Sequence, residues 1–297
     1  MTIVLHGPVD APFWVTAIAP TATETQRLRD DLGYDADSLA HAFDRAERPR
    51  LRILSGERTF LVVRGPLAQT GDIPFGTTPI SFLFEARRGL TVLLDDSPLA
   101  QRLAAIATAE SLAGHPHRIV LESLEAIAEA FLTALAELDR LVDATEDRLE
   151  RSLGNREVGQ LLRYQKSYVY FADVLEASSG VLERLVKVPA VHEDEALLED
   201  ALIEFRQARD TADIGRNVLS EMMDAFASII SNNLNVVMKA LTAFTVILTI
   251  PMTIASLYGM NVELPFARSP HAFLVVSLVS ASLGALVAVL FRRRRWL

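Results

Sequence analysis

The chain contains no cysteine at all. That removes disulfide staples, thiolate zinc sites and cysteine nucleophiles in one step. It also lacks any surplus of positive charge: 29 Lys and Arg stand against 38 Asp and Glu, for a formal charge of -9. A nucleic-acid partner needs a basic surface, so none is expected. No basic start or long apolar core opens the sequence "MTIVLHGPVDAPFWV", which therefore does not read as a secretory signal, and the first domain is expected in the cytoplasm. No catalytic triad, nucleophile elbow, phosphate-binding loop or metal-ligand cluster stands out, so an enzyme is not expected. The six histidines share no spacing that would make a zinc site, and His115 and His117, either side of Pro116, read as surface residues of a linker.

Charge is missing most conspicuously near the C-terminus. From Leu241 to Tyr258 eighteen residues carry none, and from Ala272 to Phe291 twenty more carry none. About 20 apolar residues cross the hydrocarbon core of a bilayer, so both read as membrane spans. Lys239 precedes the first, and Arg292 to Arg295 follow the second. Basic residues mark the cytoplasmic end of a span, so a multi-pass inner-membrane protein with both termini in the cytoplasm is expected. Two spans cannot enclose a water path, so any pore requires a homo-oligomer in the lipid bilayer.

The preceding part divides by periodicity. Residues 1–112 read as an α/β domain: "RLRILSGERTFLVVRG" as two strands around Ser55, Gly56 and Glu57, and "ISFLFEARRGLTVLLDD" as two more around Arg88-Gly89. "TETQRLRDDLG" and "SPLAQRLAAIATAE" read as helices. Residues 113–235 read as a helical stalk. Its first helix carries the stripe Leu121, Leu124, Ile127, Phe131, Leu135, Leu138, Leu141 and Val142, "LGN" turns it, and a second helix runs back toward Pro189. From Glu193 to Tyr258 the only glycine is Gly215 and the only proline Pro251, so one helix of roughly 100 Å is expected. The expected class is an α+β cytoplasmic domain, long stalk helices and two C-terminal transmembrane helices, at 236–260 and 272–291, joined by an external loop at 261–271 and closed by a basic tail at 292–297.

Within the first span Asn235, Met238, Leu241, Thr245, Thr249, Met252 and Ser256 recur at three and four residues and share a helix face. Alternating apolar and small polar groups suit a narrow pore lining. The same periodicity is equally compatible with ordinary packing, the hydroxyls bonding to their own backbone. Ser280, Gly284 and Ala288 in the second span form a small-xxx-small row that allows close helix contact.

The first span ends on Tyr258, Gly259, Met260 and Asn261. In this position, before a short loop, a second span and the closing "RRRRWL", these residues resemble the signature of the CorA family of divalent-cation channels. The resemblance extends to "NVVMKALT" at 235–242 and more loosely to "RPRLRILSGERTFLVV". It implies a funnel-shaped homopentamer transporting Mg²⁺, with Co²⁺ or Ni²⁺ tolerated, driven by the membrane potential and closed by cytoplasmic Mg²⁺, with no organic cofactor. It implies a selectivity filter at Gly259, Met260 and Asn261, and a pore lined by Asn235, Met238, Leu241, Thr245, Thr249 and Met252, with Met238 and Leu241 as the apolar constriction. Within the acidic run from Glu193 to Asp213, Asp200 falls where the family's regulatory stalk aspartate is expected, with Asp72 as its metal-binding partner. Pro251 stands one residue later than the family pattern. The outer loop has one acid, Glu263, offset by Arg268, and lacks the glycine-rich character of the ZntB branch. A ZntB-like proton-coupled Zn²⁺ transporter and a non-transporting membrane scaffold are the rival readings.

Overall fold

The computed structural model describes residues 3–7, 12–30, 32–54, 58–71, 73–152, 155–262, 265, 269–294 and 296, with the side chains of 110, 150–152 and 155 excepted. The chain forms two compact units, Met1–Glu221 and Met222–Leu297.

The first unit is built on a six-stranded sheet: β1 Ile3–His6, β2 Trp14–Ile18, β3 Arg50–Ile53, β4 Thr59–Ala68, β5 Phe75–Phe84 and β6 Gly89–Leu93. Their order across the sheet is β1-β2-β6-β5-β4-β3. All pairs are antiparallel except β2 with β6. The two hairpins around 55–57 and 88–89 that the sequence predicts are therefore β3–β4 and β5–β6, with 55–57 outside the described residues.

Two short helices, α1 Ala22–Asp30 and α2 Ala36–Ala42, follow β2. Thr21 and Glu24 bond reciprocally at the start of α1, and Asp35 accepts from the Ser38 amide at 2.8 Å to cap α2. Leu28, Tyr34, Leu39 and Ala42 close one core with Val15, Ala17, Phe60, Val62, Leu90 and Val92 of the sheet. Burial pushes the Tyr34 phenol up to about 12, and its O–H donates to the Gly89 carbonyl at 3.1 Å. Gly89 is small for a steric reason: a Cβ there would lie 2.0 Å from the fully buried Trp14 ring on β2.

The helical part begins with α3 Pro98–Ala107, capped by Ser97 with Pro98 in its first turn. Then α4 Pro116–Ser152 and α5 Asn155–Leu185 run as a pair against β4 and β5. Every residue of the α4 stripe from Leu121 to Leu138 is buried, as its 3.6-residue period requires. A 3₁₀ segment over Pro189–Asp194 precedes α6, Glu195–Tyr258, so the long helix starts two residues later than the sequence predicts. Its first part buries Leu198, Ala201, Phe205, Ala208, Ala212 and Leu219 at alternating three and four residues. Gly215 falls in that row, and a Cβ there would lie 2.3 Å from the Tyr168 ring of α5.

The second unit holds the rest of α6 and α7, Ala272–Arg293. Only 6% and 11% of their most apolar stretches are buried. A soluble-core helix of that composition would be covered by protein; these present apolar side chains outward, the condition of helices whose solvent is lipid.

Candidate functional site

Within the second unit the two helices meet along one side of α6. Ala240, Ala243, Ile247, Ile250 and Ile254 are its least exposed positions there, with Ala243 fully buried. Across from them Ser280 and Gly284 are the buried positions of α7, and a Cβ on Gly284 would lie 3.9 Å from the Ile247 carbonyl oxygen. Within the small-xxx-small row, Gly284 is thus the position at which the α7 backbone approaches that of α6.

The candidate pore row lies on the other side. At about 100° per residue, Met238, Leu241, Thr245, Thr249, Met252 and Ser256 centre roughly 180° from the α7-facing row. All are exposed in the chain: Met238 51%, Leu241 58% and Met252 69%, with Asn235, Thr245 and Thr249 in the same class. Among the described residues, nothing of the second unit covers this face.

Its hydroxyls have a defined orientation. Thr245 Oγ1 donates to the Leu241 carbonyl at 2.9 Å, and Thr249 Oγ1 to the Thr245 carbonyl at 2.8 Å. These are the backbone bonds that the packing reading expects, yet both threonines face outward. With the proton committed to the helix, each oxygen turns its lone pairs away from it. Such an atom can accept from a water of a hydrated cation.

The helix ends without a left-handed residue. Gly259 N–H bonds the carbonyls of Ala255 and Ser256 at 2.9 and 3.2 Å, and its φ is not among the positive ones. The Met260 amide bonds the Leu257 carbonyl at 3.3 Å, and Asn261 comes next, exposed like Val262. The Tyr258 hydroxyl donates to the Pro265 carbonyl at 3.4 Å, tying the start of the loop back to the helix. Glu263 and Arg268 lie outside the described residues, as does Asp72.

Asp200 stands exposed on α6 in the first unit. Burial first, then the charges of Glu125, Glu129 and Asp200, hold the Glu204 carboxyl above its usual range. No set of three or more His, Asp or Glu residues among those described could hold a metal within the chain. Any site using Asp200 would thus need ligands beyond that set.

One cluster is not predicted by the sequence. Asp194, at the end of the 3₁₀ segment, accepts from Arg118 Nε and Nη2 at 2.8 and 2.7 Å and pairs with His117 Nε2 at 2.9 Å. His117 is therefore not a surface linker residue: it lies in the first turn of α4, its side chain 14% exposed, drawn inward by a carboxylate 77 residues away. His115 is exposed as expected. Nothing in the local sequence of His117 signals the pairing. The bidentate Arg118 contact holds the Asp194 carboxyl below its usual range against the opposing effect of burial. A depressed carboxylate contributes stability above its unfolded pKa of about 4, and loses it as the pH falls through the folded value. Asp194→Asn is expected to cost about 1–2 kcal/mol at pH 7, discounted because Arg118 is half exposed. Melting of the detergent-solubilised protein across pH checks this: the gap to wild type should shrink below about pH 4.

A family model described as "CorA-like Mg2+ transporter protein" matches residues 10–293. The cobalt/magnesium transport protein CorA of Methanocaldococcus jannaschii is 28% identical over 298 residues, covering 96% of this chain and 91% of that protein. Its complete structure superposes with a TM-score of 0.85 at 25% identity, again over 96% and 91% of the two chains. The cobalt/magnesium transport protein CorA of Thermotoga maritima is 27% identical over 179 residues, 59% of this chain and 51% of that one. The ZntB cytoplasmic domain of Vibrio parahaemolyticus, at 12% identity and a TM-score of 0.58 over 75% of this chain and 87% of that one, shares the fold alone. With the family match running through nearly the whole length, both units included, the chain belongs to the CorA family.

Proposed function

We propose that this chain is one subunit of a homopentameric channel that admits Mg²⁺, with Co²⁺ and Ni²⁺ tolerated, down the membrane potential. The carrying observation is the division of α6 into two opposite faces, one packed on α7 and one bare, with lone pairs outward. Such a helix suits an inner ring with α7 outside it. The curated relatives named for cobalt and magnesium transport support the choice of ion.

In this reading the spans are 236–260 and 272–291, the loop 261–271 faces outward, and residues 1–112, the stalk 113–235 and the tail 292–297 face the cytoplasm. Gly259, Met260 and Asn261 form the filter. Mg²⁺ gives up water reluctantly, so a ring of Asn261 carboxamides grips the hydrated ion through its waters without the trapping that carboxylates would bring. Glu263 adds a single acid near the mouth. Thr245 and Thr249 then accept from the same hydration shell, Asn235 and Met252 flank them, and Met238 with Leu241 forms an apolar constriction that closes by dewetting. Inward movement of a divalent ion across 100 mV is worth roughly 4.6 kcal/mol, which drives flux without a nucleotide site. Cytoplasmic Mg²⁺ closes the channel by bridging Asp200 and Asp72 between subunits.

Proteoliposomes holding the purified protein test this directly. Under an inside-negative potential and no pH gradient, Mg²⁺ entry is expected to exceed Zn²⁺ entry and to stop when the voltage is collapsed. Zn²⁺ entry that requires a pH gradient would replace this reading with proton-coupled transport. No flux of any metal from folded, oligomeric protein would leave the scaffold reading in its place.

A further inference from the structure

In an α-helix the carbonyl of residue 247 accepts from the amide of residue 251, and residue 251 is proline, which has no N–H. Pro251 thus leaves the Ile247 carbonyl without its helical donor inside a membrane span, where no water replaces the bond and an uncovered carbonyl is costly. The facing residue on α7 is Gly284. It is buried, and among the described residues the Ile247 oxygen is the one heavy atom beyond its own neighbourhood that would come within 4 Å of a Cβ built there. Ser280 and Ala243, also small, are buried as well.

We infer that Gly284 is a positioning residue for the pore helix: the bare backbone of α7 covers the carbonyl oxygen that Pro251 strands, and this contact fixes how the last turns of α6 leave the proline. Glycine is the apt residue because its lack of side chain lets the two backbones approach. Beyond Pro251, α6 carries Met252 and Ser256 and leads into the Gly259–Asn261 segment, so a contact far from the filter in sequence governs the filter's direction. The inference deepens the channel reading and rests on it for its functional consequence, whereas the contact between positions 247 and 284 stands by itself.

Substitutions separate the contact from a general intolerance of change. Gly284→Ala places a Cβ at 3.9 Å, an ordinary contact, and Mg²⁺ flux should stay within about twofold of wild type. Gly284→Val adds two methyls beyond that point and should lower flux about tenfold and alter the Co²⁺ to Mg²⁺ ratio. Pro251→Ala restores an amide to bond Ile247, so in that background the same valine should cost no more than about twofold. Melting midpoints of the four detergent-solubilised proteins, wild type, each single variant and the double, form a second cycle with the same expectation of coupling. An equal loss from valine in both backgrounds, in flux and in melting, would overturn the inference, as would an alanine as harmful as the valine. If the wild-type protein conducts no metal the channel reading falls, and the melting cycle alone decides the contact.

Discussion

Asn261→Ala protein, reconstituted under an inside-negative potential, is expected to lose about tenfold or more of its Mg²⁺ entry together with its preference among divalent ions. The proposed filter works through oriented carboxamide oxygens that offer lone pairs to the ion's waters, and alanine removes them from every subunit at once. Asn261→Asp should fail in the opposite sense: a ring of carboxylates binds Mg²⁺ more tightly, so affinity rises while the maximal rate falls, because release becomes limiting. Asn261 is exposed at the end of α6 and its side chain enters no described hydrogen bond, so neither change should move the melting midpoint. Unchanged flux and ion preference in Asn261→Ala would remove the filter role.

Gly215→Ala is expected to lower stability by about 2–4 kcal/mol, read from melting of the detergent-solubilised protein. The added methyl would sit 2.3 and 2.7 Å from two Tyr168 ring atoms. The ring has little freedom to yield. It is 1% exposed, and its O–H donates to Asp139 of α4, so retreat from α6 strains a hydrogen bond as well as the packing. Burial, then Asp139, push the Tyr168 phenol well above its usual range, which keeps it a donor throughout ordinary pH. Tyr168→Leu should recover part of the loss in the Gly215→Ala background, although it costs stability alone. An additive pair of losses would show that the clash is relieved elsewhere.

Sequence and structure agree where the physics is local. The buried row on α4 and both apolar spans follow from side-chain period and from the absence of charge, each visible within a window of some twenty residues. Spacing alone identifies the outward row on the first span, but not its direction relative to α7, because that depends on which face Ser280 and Gly284 meet. Gly215 is conspicuous as the sole glycine in its helix, and only Tyr168, forty-seven positions earlier, explains it. His117 escapes a sequence reading for the same reason: its partner Asp194 is remote along the chain. Strands β1 and β2 are not read from the sequence, and β2 finds its parallel partner in β6, remote along the chain.

That parallel pairing bears on how the chain is made. β6 lies between β2, whose residues 14–18 it meets through 89–93, and β5, its hairpin neighbour. β3, β4, β5 and β6 can assemble by short-range pairing as they emerge from the ribosome, whereas the β1–β2 hairpin has no edge to join until residue 93 has appeared. During that interval Trp14, Val15 and Ala17, all fully covered in the finished sheet, stand open to water. An early-synthesised hairpin must therefore dock onto a late-synthesised strand, and the glycine at position 89 keeps the landing place of Trp14 clear.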